Sequence, residues 1–93
     1  MPDLAGDVET IVAELLSNAL TASRRAPVQL WLVSDGRRVV ISVADASPDP
    51  PVPMNPDGAT ESGRGLMLVE AVSARWGWYA LPQGKIVWAL CEG

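Results

Sequence analysis

Residues 46–62, ASPDPPVPMNPDGATES, hold five prolines (Pro48, Pro50, Pro51, Pro53 and Pro56) and no apolar periodicity. Proline fixes φ at about −65° and removes a backbone donor, so this stretch suits neither a helix interior nor a central strand. It divides a chain of 93 residues. The roughly thirty residues that follow it are too few for a second hydrophobic core, which argues against a linker between two domains. Residues 1–93 are therefore expected to form one domain, with 46–62 as a long loop of the kind that serves as a lid.

The residues on either side of that loop follow the same order. In the first part Leu4, Val8, Ile11, Val12, Leu15, Leu16 and Ala19 recur at helical spacing, with Asp3 or Asp7 as cap. The helix should end near Ser23, because Pro27 disfavours helix at Ala26. Two strands follow, VQLWLVS and RVVISVAD, and Asp35-Gly36 between them is a strong hairpin signal. After the loop, GRGLMLVEAVSARWG predicts a second helix from near Gly63, with Leu66, Val69, Val72 and Trp76 on one face. WYAL and KIVWALCE then predict a hairpin around PQG. The expected fold class is an α+β two-layer sandwich, with both helices on one face of a mostly antiparallel sheet.

Strand alternation assigns the faces. Val39, Ile41, Val43 and Asp45 form one row of the second strand, which predicts Asp45 pointing toward the helical layer. Ile86, Trp88 and Leu90 are expected on that same inner face, leaving Trp31, Val33, Val40, Val87 and Ala89 on the other.

Composition removes several function classes. The chain has no histidine, so His-based triads and His-ligated zinc are excluded. Its single cysteine, Cys91, allows no internal disulfide. A net charge of −4 argues against a nucleic-acid binder. No apolar run is long enough to cross a bilayer, and the acidic start MPDLAGD is unlike a signal peptide, so no membrane association and a cytoplasmic location are expected.

Three features carry possible chemistry. Glu14 and Asn18 are four apart, at the edge of the apolar stripe. A carboxylate and an amide oxygen there suit Mg²⁺, and the carboxylate suits a general base; a solvated helix flank would look the same. Gly63, Arg64 and Gly65 open the second helix, where backbone amides can approach an anion, or where a turn needs glycine. Asp45 is either a binding carboxylate at the mouth of the loop or the start of an Asx turn with Ser47.

Taken in order, these features resemble the GHKL ATPase superfamily and its Bergerat nucleotide-binding fold. Within it the chain most resembles short actinobacterial ATP-binding proteins related to anti-sigma factor serine/threonine kinases. ELLSNAL is similar to their N-box, VADASPDPP to the first glycine box, ESGRGLMLVEAVSARWGW to the second, and GKIVWALCE to the closing strand. The resemblance implies ATP and Mg²⁺ as cofactors, Glu14 as general base and Asn18 as the Mg²⁺ ligand. It implies that Asp45 accepts a hydrogen bond from adenine, and that Gly63, Arg64, Gly65 and Leu66 hold the phosphates. The implied activity is phosphoryl transfer to a serine or threonine of a partner, a sigma factor or an antagonist of an anti-sigma factor. The alternative is a degenerate, non-catalytic interaction module.

The chain departs from that pattern at Ala22, where the N-box usually has histidine, and at Ser47, where the first glycine box has glycine. Ile86 stands where a threonine near the adenine is usual, and the sequence begins almost at the N-box helix, which a further strand and helix normally precede. An uncovered sheet edge and a fairly apolar second face would favour association, so a homodimer or a complex with a partner is expected.

Overall fold

Ile11, Leu15, Ala19 and Ser23 recur every fourth residue and are the buried positions of the helix α1 (Leu4–Ser23). The computed structural model describes residues 4–23, 26–47 and 68–92. After α1 come β1 (Gln29–Ser34), β2 (Arg38–Asp45), a helical stretch over 68–72, β3 (Arg75–Leu81) and β4 (Gly84–Glu92). The strands form one antiparallel sheet in the order β1-β2-β4-β3. Val69, from the helical stretch, joins the same buried cluster as α1, so the helices cover one face. This is the expected two-layer α+β arrangement.

The first half follows its local sequence closely. α1 ends at Ser23, and the Ala26 amide donates to the Ser23 carbonyl at 3.1 Å. Asp7 lies inside the first turn of α1 rather than capping it, where its charge still suits the helix N-terminus; Asp3 is outside the described residues. At the β1–β2 turn Gly36 has φ 91°, a conformation that costs other residues strain. Asp35 closes that turn. Its Oδ1 accepts from the Arg37 and Arg38 amides at 3.0 and 2.9 Å, and its Oδ2 accepts from Arg38 Nη2 at 3.0 Å.

The core is the seam between α1 and the central strands. Ile11, Leu15 and Ala19 meet Ile41 and Val43 of β2, Val87, Ala89 and Cys91 of β4, and Val69. Each large aliphatic side chain buried here is worth about 1.5–3 kcal/mol. The inner row of β2 is as expected, but β4 presents the opposite face to the one its hydrophobicity suggests. The register pairs Val39 with Cys91, Ile41 with Ala89, Val43 with Val87 and Asp45 with Lys85. Directly opposed residues share a face. Lys85, Val87, Ala89 and Cys91 therefore point inward, and Ile86, Trp88 and Leu90 point outward. The reason is space: the small side chains Val87, Ala89 and Cys91 let α1 lie close, where a Trp would hold it off. On the outer face, the Trp88 ring lies over Gly77, where an added Cβ would come within 2.9 Å of Trp88 Cζ2.

The second helix also ends sooner than its periodicity suggests. The Ser73 amide donates to the Val69 carbonyl at 2.9 Å, and the Ala74 amide then donates to the Leu90 carbonyl at 2.8 Å. Trp76 is consequently a β3 residue opposite Ala89, and still packs against the core. Pairing with β4 outweighs the helical spacing of Val69, Val72 and Trp76.

Candidate functional site

β2 delivers Asp45 to the inner face at the end of the strand, directly opposite Lys85. Asp45 is 7% exposed and Lys85 4%. Lys85 Nζ donates to Asp45 Oδ1 at 3.0 Å, and the Ser47 amide donates to the same oxygen at 2.9 Å. The Asx turn with Ser47 is thus formed, by a carboxylate that points inward. Lys85 and Asp45 compensate each other in a place where either charge alone would be costly.

Two further residues hold this corner. Ser23, the last residue of α1, accepts a hydrogen bond from the Ala46 amide through Oγ at 2.8 Å. That contact ties the end of the helix to the end of β2. Gly84 is buried against the Asp45 backbone; an added Cβ would collide with the Asp45 carbonyl oxygen and lie 3.0 Å from Ala46 Cα. Only a residue without a side chain lets the start of β4 come this close, and that approach sets Lys85 against Asp45.

Glu14 and Asn18 are half-buried on α1. Asn18 lies seven residues after Ile11, so it points within about 20° of the most buried line of the helix. Its Nδ2 is buried and has no hydrogen-bond partner among the described residues. A half-turn of the amide would put its oxygen in the same position. α1 packs on β2 and β4, the strand pair that carries Asp45 and Lys85. Gly63, Arg64, Gly65 and Leu66 lie outside the described residues, as does the loop beyond Ser47.

The residue of β4 that meets Asp45 is Lys85. Ile86, expected near an adenine, is on the far face of the sheet. Lys85, Ser23 and Gly84 were not singled out by sequence reasoning. A signal for Lys85 did exist: an aspartate ending one strand and a lysine opening its antiparallel neighbour fix a register by charge.

The opposite end of the layer has a different character. Burial pushes the Cys91 thiol pKa up, and the nearby charge of Asp7 adds to the effect. Among the described residues no three His, Cys, Asp or Glu side chains cluster to hold a metal. A cation here would rest on few protein ligands, water and a bound anion, which is how Mg²⁺ is commonly held. Asn18 would fit that mode only with its amide turned, because the buried atom without a partner is Nδ2, a donor. No helix among the described residues is long and apolar enough to cross a membrane.

Comparison with known proteins gives a consistent result. Residues 1–90 match the family described as histidine kinase-like ATPase domain. Among solved structures, the chain is similar to the histidine kinase domain from the Erythrobacter litoralis EL346 blue-light activated histidine kinase. The two agree with a TM-score of 0.61 and 26% identity, over 96% of this chain and 44% of that one. The match thus spans less than half the length of that solved chain. No curated protein sequence matches.

Proposed function

Given that the chain belongs to the histidine kinase-like ATPase domain family, we propose that it is an ATP-binding regulatory protein. Its motifs resemble those of the anti-sigma factor serine/threonine kinases, and its activity on this reading is transfer of a phosphoryl group to a partner's hydroxyl. One observation carries the reading: Asn18 Nδ2 is buried without a partner on α1, the helix that packs on β2, which ends in the buried carboxylate of Asp45. A buried polar group without a partner is costly, and a ligand that supplies the partner removes the cost.

Each residue then has a part. Asn18, turned to offer its oxygen, would hold Mg²⁺, and the ion when bound would supply the positive charge that phosphoryl transfer requires. Glu14, one turn earlier on α1, orients and deprotonates the attacking hydroxyl. Asp45 would accept from the exocyclic amino group of adenine through lone pairs that Ser47 and Lys85 leave open.

The Lys85–Asp45 pair favours a second reading. An adenine amino group must share the carboxylate with an ammonium 3.0 Å away. A domain that keeps the fold, binds nucleotide weakly and acts through protein contacts would tolerate that competition, as it would Ala22 and Ser47.

Calorimetric titration of Mg²⁺-ATP separates the two. Micromolar binding that is lost in the Asp45→Asn/Lys85→Met double variant supports the nucleotide site. No binding at millimolar ATP leaves the interaction module. The double variant is the proper control, because Asp45→Asn alone strands a buried ammonium.

A further inference from the structure

The strand order places β1 at an edge of the sheet. Edge strands in natural sheets are usually blunted by charge, proline or a bulge. β1, Gln29–Ser34, has neither charge nor proline, and all six residues are exposed.

Its hydrogen-bonding direction follows from the turn. The Asp35 amide donates to the Arg38 carbonyl, and bonded pairs alternate along an antiparallel ladder. Val33, Trp31 and Gln29 thus exchange bonds with Val40, Ser42 and Ala44. Leu30, Leu32 and Ser34 direct their amides and carbonyls away from β2, to the open edge. The side chains are apolar on both faces. Leu30 and Leu32, 38% and 54% exposed, share the inner face with Val43 and Ile41. Trp31 and Val33, 44% and 67% exposed, share the outer face with Ser42 and Val40. α1 packs over β2 and β4, and Leu30 and Leu32 remain partly exposed.

We propose that β1 pairs with β1 of a second copy, antiparallel about a two-fold axis through Trp31, so that two sheets become one. The sequence of the strand selects a second copy as the occupant. Leu30-Trp31-Leu32 reads the same in either direction, so an axis through Trp31 sets Trp31 opposite Trp31 and Leu30 opposite Leu32, twice. In this register the Leu30 and Leu32 backbones, the ones facing the edge, exchange both of their hydrogen bonds. Both α1 helices come to lie on one face of the joined sheet. The strand carries no charge, so the pairing sets no like charges opposite each other although each chain carries −4. The other edge, β3, opens with Arg75 and contains Gly77, which weakens a strand.

Sedimentation velocity and cysteine cross-linking on the full chain test this. The wild type is expected to sediment as a dimer at high micromolar concentration. Leu32→Lys, a change at a side chain exposed in the single copy, is expected to weaken the dimer at least tenfold with unchanged circular dichroism. Two Trp31 positions on the axis form a non-hydrogen-bonded pair with Cα atoms about 4.5 Å apart, within disulfide range. Trp31→Cys should therefore cross-link copies on mild oxidation, and Tyr79→Cys on β3 should not. The native Cys91 is buried and stays out of the reaction. A wild type that remains monomeric at hundreds of micromolar overturns the proposal. So does a dimer that Leu32→Lys leaves intact and that cross-links through Tyr79→Cys and not through Trp31→Cys.

Discussion

Lys85 Nζ donates to Asp45 Oδ1 at 3.0 Å across a directly opposed pair of β4 and β2. Both groups are almost fully buried, at the corner where Ser23 ends α1. The carboxylate that resemblance assigns to adenine is therefore already the partner of a cation from its own sheet. Whether the site takes a nucleotide depends on how that oxygen is shared, and the pair also contributes to the stability of the corner.

Breaking the pair from one side should cost more than removing both charges. Asp45→Asn or Lys85→Met alone leaves an uncompensated buried charge, at about 3–5 kcal/mol. The double variant should recover most of that loss. A double-mutant cycle by urea denaturation measures the coupling; additive effects would show that the two groups do not depend on each other.

Glu14→Ala should leave Mg²⁺-ATP affinity within a few-fold of the wild type and lower phosphoryl transfer about 10²–10⁴-fold, the usual contribution of a general base. Calorimetry and a radiolabel transfer assay on the cognate partner provide the two readouts. Full transfer activity in this variant would remove Glu14 from the chemistry.

Asp35 gives a pH signature. The amides of Arg37 and Arg38, with the Arg38 guanidinium, lower its pKa from 3.8 to about 2. A carboxylate with a depressed folded-state pKa adds stability that is present above the unfolded value and is lost as pH falls through the folded one. Wild-type stability should thus fall between pH 3.8 and about 2. Asp35→Asn should be less stable near neutral pH and show a shallower fall across that window. Parallel urea midpoints for the two proteins would contradict this assignment.

Gly84→Ala should disturb the site without touching any charged group. Its Cβ would meet the Asp45 carbonyl, so β4 must move away from β2, at about 1–3 kcal/mol as for other overpacked positions. Lys85 should lose its hold on Asp45 in the process. Hydrogen exchange at the Ser47 amide, bonded to Asp45 Oδ1, reports on it directly: faster exchange is expected, and unchanged protection would mean that the corner absorbs a methyl group.

Much of this could be read from local sequence. The α1 stripe, its end before Pro27, the Asp35-Gly36 turn and the inward row Val39, Ile41, Val43 and Asp45 follow from spacing and backbone preference alone. These are short-range properties, set by helical periodicity, strand alternation and the conformational limits of proline and glycine. The order of motifs points to the family by resemblance, not by spacing.

Three features were decided by the tertiary structure. The alternating rows of β4, Lys85 to Cys91 and Ile86 to Leu90, are both compatible with a buried face, and the second is the more hydrophobic. Antiparallel pairing with β2 and the narrow space beneath α1 chose the first. The same pairing ended the second helix before Arg75, against its own periodicity. It also turned Lys85 inward onto Asp45, a contact between residues forty positions apart. Sequence pattern specifies which side chains alternate, but which row faces the helix depends on the volume another element leaves, and that is known only once the layers have met.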